Sequence, residues 1–387
     1  MVRRIGAAGL AIGLSIAAVA PAMAQDSSPA ASGAAGPWSV VVQGLDAPRG
    51  LAIGADGTLY VAEAGAGGDQ CMETERGKAC AGMTSGISAI KDGAATKVVS
   101  GLVSIATGEG AETEILGTAD VALDADGNLY FPTPLGGSPD FRATLPEPVA
   151  AVLGRVWKQA TDGTLTEVAD LAAFEAASNP DSADPGTQID SDPNSVAIGA
   201  DGTIYAADAG GNDVLAIAPD GTVSTVAVFP ATMVPAPPDP TKSPDPSAAP
   251  AMMPMQSVPT NVIVGPDGAL YVSTLTGFPF PVGGAAVYKV VPGQDPVVYG
   301  TGLTMAMDLA FAPDGTLYVA EIAKNGLLSG DPTGALMAIP AGGGAATEIP
   351  SEGLMLAGGV AVGADGTVYV STGTVIPGGG SIVAYKP

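Results

Sequence analysis

The sequence predicts an all-β chain: a six-bladed β-propeller of four-stranded blades, closed by the N-terminal strand completing the last blade. Three observations carry this prediction. The 387 residues include 55 Gly and 34 Pro, together 89, too much punctuation for a helical protein and suited to short strands joined by turns. An apolar run, a turn ending in Asp-Gly, and a hydrophobic residue with Tyr recur six times. Finally, the last repeat lacks a fourth strand while an unassigned strand precedes the first, so the two ends complete one blade.

From the N-terminus, Arg3 and Arg4 precede an apolar run over 5–20 and an Ala22-Met23-Ala24 cleavage pattern. This predicts a signal peptide over 1–24, with an uncleaved anchor as the alternative. The run is too short for an ordinary spanning helix, and no second one follows. A flexible linker is expected over 25–37, and the propeller over 38–387. Export implies a secreted or periplasmic protein. In such an oxidising compartment the only two cysteines, Cys71 and Cys80, are expected to form a local disulfide stapling a surface loop. Two thiols without other soft ligands make a weak metal site.

The strand WSVVVQGL, from Trp38, comes first. The six copies then begin at Gly50, Asp120, Ser195, Asn261, Asp308 and Gly359. Their turn aspartates are Asp56, Asp126, Asp201, Asp267, Asp314 and Asp365, and each has Tyr four residues on. Asp-Gly supplies a hairpin turn in which Gly tolerates positive φ. A weaker second hairpin follows most copies, as in RVWKQ, Asp162-Gly163, TLTEV. Four strands per unit and six units describe a propeller. These repeated columns read as turn and packing residues.

Strand order sorts the loops into two faces. The tight Asp-Gly turns fall together on the bottom. The long connections fall on top: the Cys loop (65–85), 101–119, 133–153, a short helix over 168–179, and the insert 229–259. That insert is Pro/Met-rich, with nine Pro over 230–254, and predicts an extended flap. A site is expected on this elaborated face.

Composition excludes several functions. Acids outnumber bases 39 to 14, giving −25, and losing Arg3 and Arg4 leaves −27. Such a surface repels phosphate backbones and anionic lipid, so neither nucleic acid nor a membrane is expected as partner after cleavage. With no His, triads and imidazole metal sites are excluded. Two columns are expected near the channel mouth. The strand starts offer Asp120, Asn261 and Asp308, with Asn194 beside them. The ends of the second strands offer Glu63, Thr133, Asp208, Thr274, Glu321 and Thr372. Carboxylates and amides around a narrow axis suit a hard cation, so one Ca²⁺ held by some of Asp120, Asn194, Asn261 and Asp308 is one reading. The other is that these side chains cap strand ends and bind channel waters. Met252, Met253 and Met255 offer thioethers to Cu(I), with an apolar lid as the plainer reading.

The repeats resemble NHL and SMP-30/gluconolactonase-type propellers. PRGLAIGADGTLYVAEAGAGGD from Pro48, ADAGGNDVLAI from Ala207, MQSVPTNVIVGPDGALYVSTLTGFPFPVG from Met255 and NGLLSGDPTGAL from Asn325 resemble the ScyD/ScyE family. The resemblance spans nearly all of 38–387 and implies an exported propeller without an assigned reaction. Where the family pattern would place Pro-His-Asp, this chain has Gly117-Thr118-Ala119-Asp120, so a site using that histidine is not carried over. Two functions remain. One is a monomeric module binding a small molecule or protein partner on the top face. The other is a Ca²⁺-dependent hydrolase of the lactonase type, as in SMP-30 and strictosidine-synthase-like propellers, with Glu63 or Glu321 as the available bases.

Overall fold

The computed structural model describes residues 37–74, 77–108, 113–184, 186–237 and 250–387. The expected signal peptide (1–24) and all but the last residue of the linker (25–37) lie outside these. Within them the chain forms six blades of four antiparallel strands around one axis. From the axis outwards, blade one is Pro48–Ile53, Leu59–Glu63, Gly77–Lys91 and Ala94–Thr107. Blade two is Ala122–Leu123, Leu129–Thr133, Arg155–Gln159 and Leu165–Asp170. Blade three is Pro193–Ile198, Ile204–Asp208, Asp213–Ile217 and Val223–Val228. Blade four is Pro259–Val264, Leu270–Thr274, Ala285–Val290 and Val297–Leu303. Blade five is Ala306–Phe311, Leu317–Glu321, Ala335–Ile339 and Thr347–Ile349. Blade six is Val360–Val362, Val368–Thr372 and Gly380–Tyr385.

The missing fourth strand of blade six is Trp38–Leu45, paired antiparallel with Gly380–Tyr385. Its Trp38 ring lies 5.4 Å from that of Tyr385, and the indole N–H donates to Pro350 O at 2.9 Å. Closure therefore joins residues more than three hundred apart and covers the edge of Gly380–Tyr385.

The core sits between blades. Tyr271, Leu309 and Val319 pack blade four on blade five, and Val121 and Phe131 pack blade two on Ile87 and Val99 of blade one. At the seam, Leu51 and Val61 of blade one meet Ala361 and Ile382 of blade six. These contacts bury apolar side chains against each neighbour, so each blade is stabilised by two others.

The lower turns show why the sequence columns recur. The turn glycines Gly57, Gly127, Gly202, Gly268, Gly315 and Gly366 all have φ between 77° and 89°, where a side chain is strained. Asp56, Asp201, Asp267, Asp314 and Asp365 each accept the amide hydrogen of the residue two positions on. Blade two departs: there Asp124 accepts from Asp126 and Asn128, and Asp126 takes no such role. In four blades the repeated Tyr packs over a glycine six positions earlier (Gly54, Gly199, Gly265 and Gly363); a Cβ on Gly265 would lie 2.3 Å from the Tyr271 ring.

The upper face is irregular. Strand Gln70–Thr74 pairs with Gly77–Lys91, and the Cys71–Cys80 disulfide joins directly opposed residues of that ladder. The helix expected over 168–179 is shorter, Leu171–Ser178, because 168–170 finish a strand and Asp170 caps the helix by accepting from Ala173 N–H. The insert 229–259 is a hairpin at its base, with Thr232–Pro235 paired to Met252–Met255. Met252 and Met253 thus belong to a ladder, and Met255 is buried. The tip, 238–249, lies outside the described residues. No helix among the described residues is long and apolar enough to cross a membrane.

Candidate functional site

The inner strands begin at the upper face, and four of them carry a register irregularity just before or at their first ring residue: Pro48/Leu51, Pro193/Ser195, Pro259/Asn261 and Ala306/Asp308. Such bulges re-aim side chains. Here they accompany a ring of Gly50, Asp120, Asn261 and Asp308, joined by Asn194 and Thr260, around a space of about 20 Å³. That volume accepts one water or one ion at its centre. Two of the six positions are necessarily small. A Cβ on Gly50 would come within 2.1 Å of Asp120, and one on Gly359 within 2.2 Å of Arg49 O.

Asp120, Asn261 and Asp308 are all buried, at 5, 4 and 6 % exposure. Their bonds run to neighbouring blades. Asp120 Oδ2 accepts from Val196 N–H at 3.0 Å, and Asp308 Oδ2 from Val360 N–H at 2.9 Å. Asp308 Oδ1 also accepts from Leu309 N–H, and Ser195 Oγ from Val262 N–H. The strand-capping reading therefore describes part of this ring. Burial, and next the charge of Asp308, push Asp120 well above the ordinary carboxylate range. Burial pushes Asp308 up to about 7. Asn194 spends its amide N–H on Thr260 O at 2.6 Å. Asn261 Oδ1 is buried with no hydrogen-bond partner.

The second column lies elsewhere. Expected near the channel mouth, Glu63 and Glu321 line neither the ring nor the cleft above it. They turn into their own blades and tie down the loop that leads to the inner strand. Glu63 accepts from Asp46 N–H and Ser88 Oγ–H and pairs with Lys97 at 2.8 Å. Glu321 accepts from Thr304 N–H at 2.6 Å, and burial pushes it up to about 8. Asp208 does the same for Asp192 N–H, and adds Gly210 and Gly211 N–H. Thr133, Thr274 and Thr372 bond carbonyls on the adjacent strand or loop.

Above the ring the axis opens into a cleft of about 80 Å³ for water-sized occupants. One wall is apolar: Val258, Leu275, Met307, Ile322 and Val375. The other carries Arg49, Glu114, Asp192 and Asn194. Arg49 donates from Nη2 to Ile115 O at 2.7 Å, yet its buried Nε has no partner. Asp192 Oδ1 is likewise buried without a partner. Burial lowers the Arg49 pKa, opposed by the charges of Glu114 and Asp192. Burial, then Asp208 and Asp190, push Asp192 up to about 8. Asp192 escaped sequence reasoning because it lies outside the repeat columns; only its place two residues before Asn194 hinted at the mouth.

No family model matches the chain, and no curated protein matches it in sequence. Solved structures do resemble it. A structural genomics protein of unknown function from Bacteroides thetaiotaomicron aligns with a TM-score of 0.51 at 11% identity, over 90% of this chain and 75% of that one. A putative gluconolactonase aligns at 0.48 and 13% identity, over 90% and 91%. A streptogramin B lyase aligns at 0.46 and 13% identity, over 89% and 95%. At 11% identity the likeness to the first of these speaks for the fold alone.

Proposed function

We propose that this chain is an exported propeller that binds a small amphipathic molecule in the axial cleft of its upper face. The observation that carries the reading is the pair of unpartnered buried atoms, Arg49 Nε and Asp192 Oδ1, on one wall of a cleft whose other wall is apolar. A buried polar atom without a partner costs about 1–3 kcal/mol, which a ligand supplying both a donor and an acceptor recovers. Amides and carboxylic acids with an apolar body fit that description. Export rests on the Arg3–Arg4 segment and the apolar run after it. The segments resembling the ScyD/ScyE family agree with an exported propeller that lacks an assigned reaction.

A thermal-shift panel of small amides and carboxylic acids tests the reading. A ligand at a hundred-fold excess over Kd stabilises by about 2.7 kcal/mol. Arg49→Met should remove the shift while the variant still folds. No shift across the panel, or an equal shift in Arg49→Met, counts against the cleft.

The second reading is a Ca²⁺-dependent lactonase-type hydrolase working at the ring. Asn261 Oδ1, buried and unpartnered beside Asp120 and Asp308, favours it. These three oxygen donors suit a hard cation, which would relieve the repulsion between the two carboxylates and polarise a lactone carbonyl. Hydrolysis also needs a base beside that ion, and Glu63 and Glu321 are committed elsewhere, which ranks this reading second. If the ring holds Ca²⁺, EGTA lowers the melting temperature and Asp308→Ala abolishes that part of the effect. A ring whose Asp308→Ala variant loses no Ca²⁺-dependent stability holds no ion.

A further inference from the structure

A second acidic pocket lies off the axis, where the loop between the second and third strands of blade three meets the end of helix Leu171–Ser178. Glu175, Asp181, Asp208 and Asp213 are 2, 1, 1 and 0 % exposed. Among the described residues no Lys or Arg pairs with any of them. The helix also points its C-terminal, partially negative end at this pocket, with Asn179 as its left-handed cap.

The four are not equivalent. Asp208 is satisfied by the amides of Asp192, Gly210 and Gly211 and the hydroxyl of Ser191. Asp181 receives the Asn212 side-chain amide at 3.0 Å. Asp213 has nothing: both its carboxylate oxygens are buried without a partner. It is aimed at a definite gap. A Cβ placed on Gly211 would sit 3.4 Å from Glu175 Oε2, 3.5 Å from Asp213 Oδ1 and 3.6 Å from the Asp208 carboxyl carbon.

The Asn179 amide closes the pocket at the end of the helix. One end of it lies 2.9 Å from Asp181 Oδ1 and 3.2 Å from Glu175 Oε1. With its nitrogen inward it donates to both, the orientation that satisfies the amide without an ion; turned over beside a cation, its oxygen would join theirs as a donor.

We propose that this pocket binds a hard divalent cation of the Ca²⁺ class, held by Glu175, Asp181 and Asp213 with the Asn179 carbonyl. Oxygen-only donors without His or Cys select such an ion, and a flexible, irregular donor set suits Ca²⁺ better than octahedral Mg²⁺. Among the described residues no three acidic side chains already stand in ligating geometry. The donors therefore have to draw together on binding, as carboxylates do when a cation relieves their mutual repulsion. The site would join the helix to the base of the insert, because Asn212 Oδ1 accepts from Val258 N–H and Asp184 Oδ2 from Ala231 N–H. It does not depend on the ring or the axial cleft.

Ca²⁺ binding to the chelator-stripped mature chain, by titration calorimetry with melting curves in Ca²⁺ and in EGTA, separates the two places. Asp213→Asn should weaken this binding about tenfold or more. It should melt in EGTA no lower than the parent, since it removes an unpaired buried charge. Gly211→Ala puts a methyl in the gap at ordinary contact distance, so it should fold normally and also weaken binding. Asp308→Asn should leave this binding event intact. No Ca²⁺ bound by the parent at millimolar concentration overturns the proposal. So does binding that survives both Asp213→Asn and Gly211→Ala but disappears in Asp308→Asn.

Discussion

The lower face of the propeller repeats one glycine turn six times, braced alike in five of them, and the upper face repeats almost nothing. Below, five turn aspartates accept the amide two residues on, and every turn glycine holds the same positive φ. Above, the second-strand ends are Glu, Thr, Asp, Thr, Glu and Thr, each with its own partners. Redundancy below lets a single turn vary at small cost. The unrepeated face carries buried polar atoms without partners, among them Arg49 Nε, Asp192 Oδ1, both Asp213 carboxylate oxygens and Asn261 Oδ1. Such groups cost stability unless something answers them, and they concentrate where function does.

Closure is the strongest lever on this comparison, because both faces depend on it. Deleting Trp38–Leu45 removes the outer strand of blade six, with buried Leu45 and the Trp38–Tyr385 contact, and bares the edge of Gly380–Tyr385. The expected outcome is loss of cooperative folding or a fall in stability of several kcal/mol, read by calorimetry, with aggregation through the bared edge. A truncated chain melting like the parent breaks the view that the ends close one blade.

The upper face should also respond to pH in a way the lower turns do not. Glu321 ordinarily titrates near 4.5 and is pushed up to about 8 by burial, so between those values the folded state holds a proton that the unfolded state has released. Its contribution is complete below pH 4.5 and is lost as pH rises towards 8, by at most about 1.4 kcal/mol per pH unit. Asp201 and Asp314 in the lower turns, lowered chiefly by backbone hydrogen bonds, act in the opposite sense and only below pH 4. Glu321→Gln keeps an acceptor for Thr304 N–H and cannot ionise. Its stability advantage over the parent should therefore grow from pH 5 to 8 and level off above. An advantage that does not change with pH means Glu321 is charged in the fold.

Legibility followed the same division. The blades, the closing strand, the disulfide and the ring of Asp120, Asn261 and Asp308 could be read because they recur or pair at fixed offsets. The roles of Glu63 and Glu321 could not, since an offset locates the end of a strand but not whether its side chain meets the axis or the preceding loop. Least legible was the pocket of Glu175, Asp181 and Asp213. A helix, a loop and the first residue of a strand bring it together, and none of its residues belongs to a repeated column.

The smallest expected effect is the sharpest test of how uniform the lower face is. In the sequence, Asp126 occupies the same column as Asp314, and the two should be equivalent. In the structure they are not. Asp314 Oδ1 accepts from Thr316 N–H at 2.9 Å, whereas in blade two Asp124 accepts from Asp126, Asn128 and the Asn128 side chain. Asp124 also takes the Tyr130 hydroxyl and lies 3.9 Å from Lys158 Nζ. Exposed turn bonds of this kind contribute about 0.5–1.5 kcal/mol each. Asp314→Ala should therefore lower stability by a small but measurable amount, Asp124→Ala by at least as much, and Asp126→Ala by close to nothing. Urea unfolding with a common m-value resolves differences of this size. Equal losses at Asp126 and Asp314 mean that blade two keeps the common turn, so its shifted brace does not exist. A loss at Asp124 with none at Asp126 shows that the lower face tolerates a moved brace as long as some carboxylate accepts the turn amides.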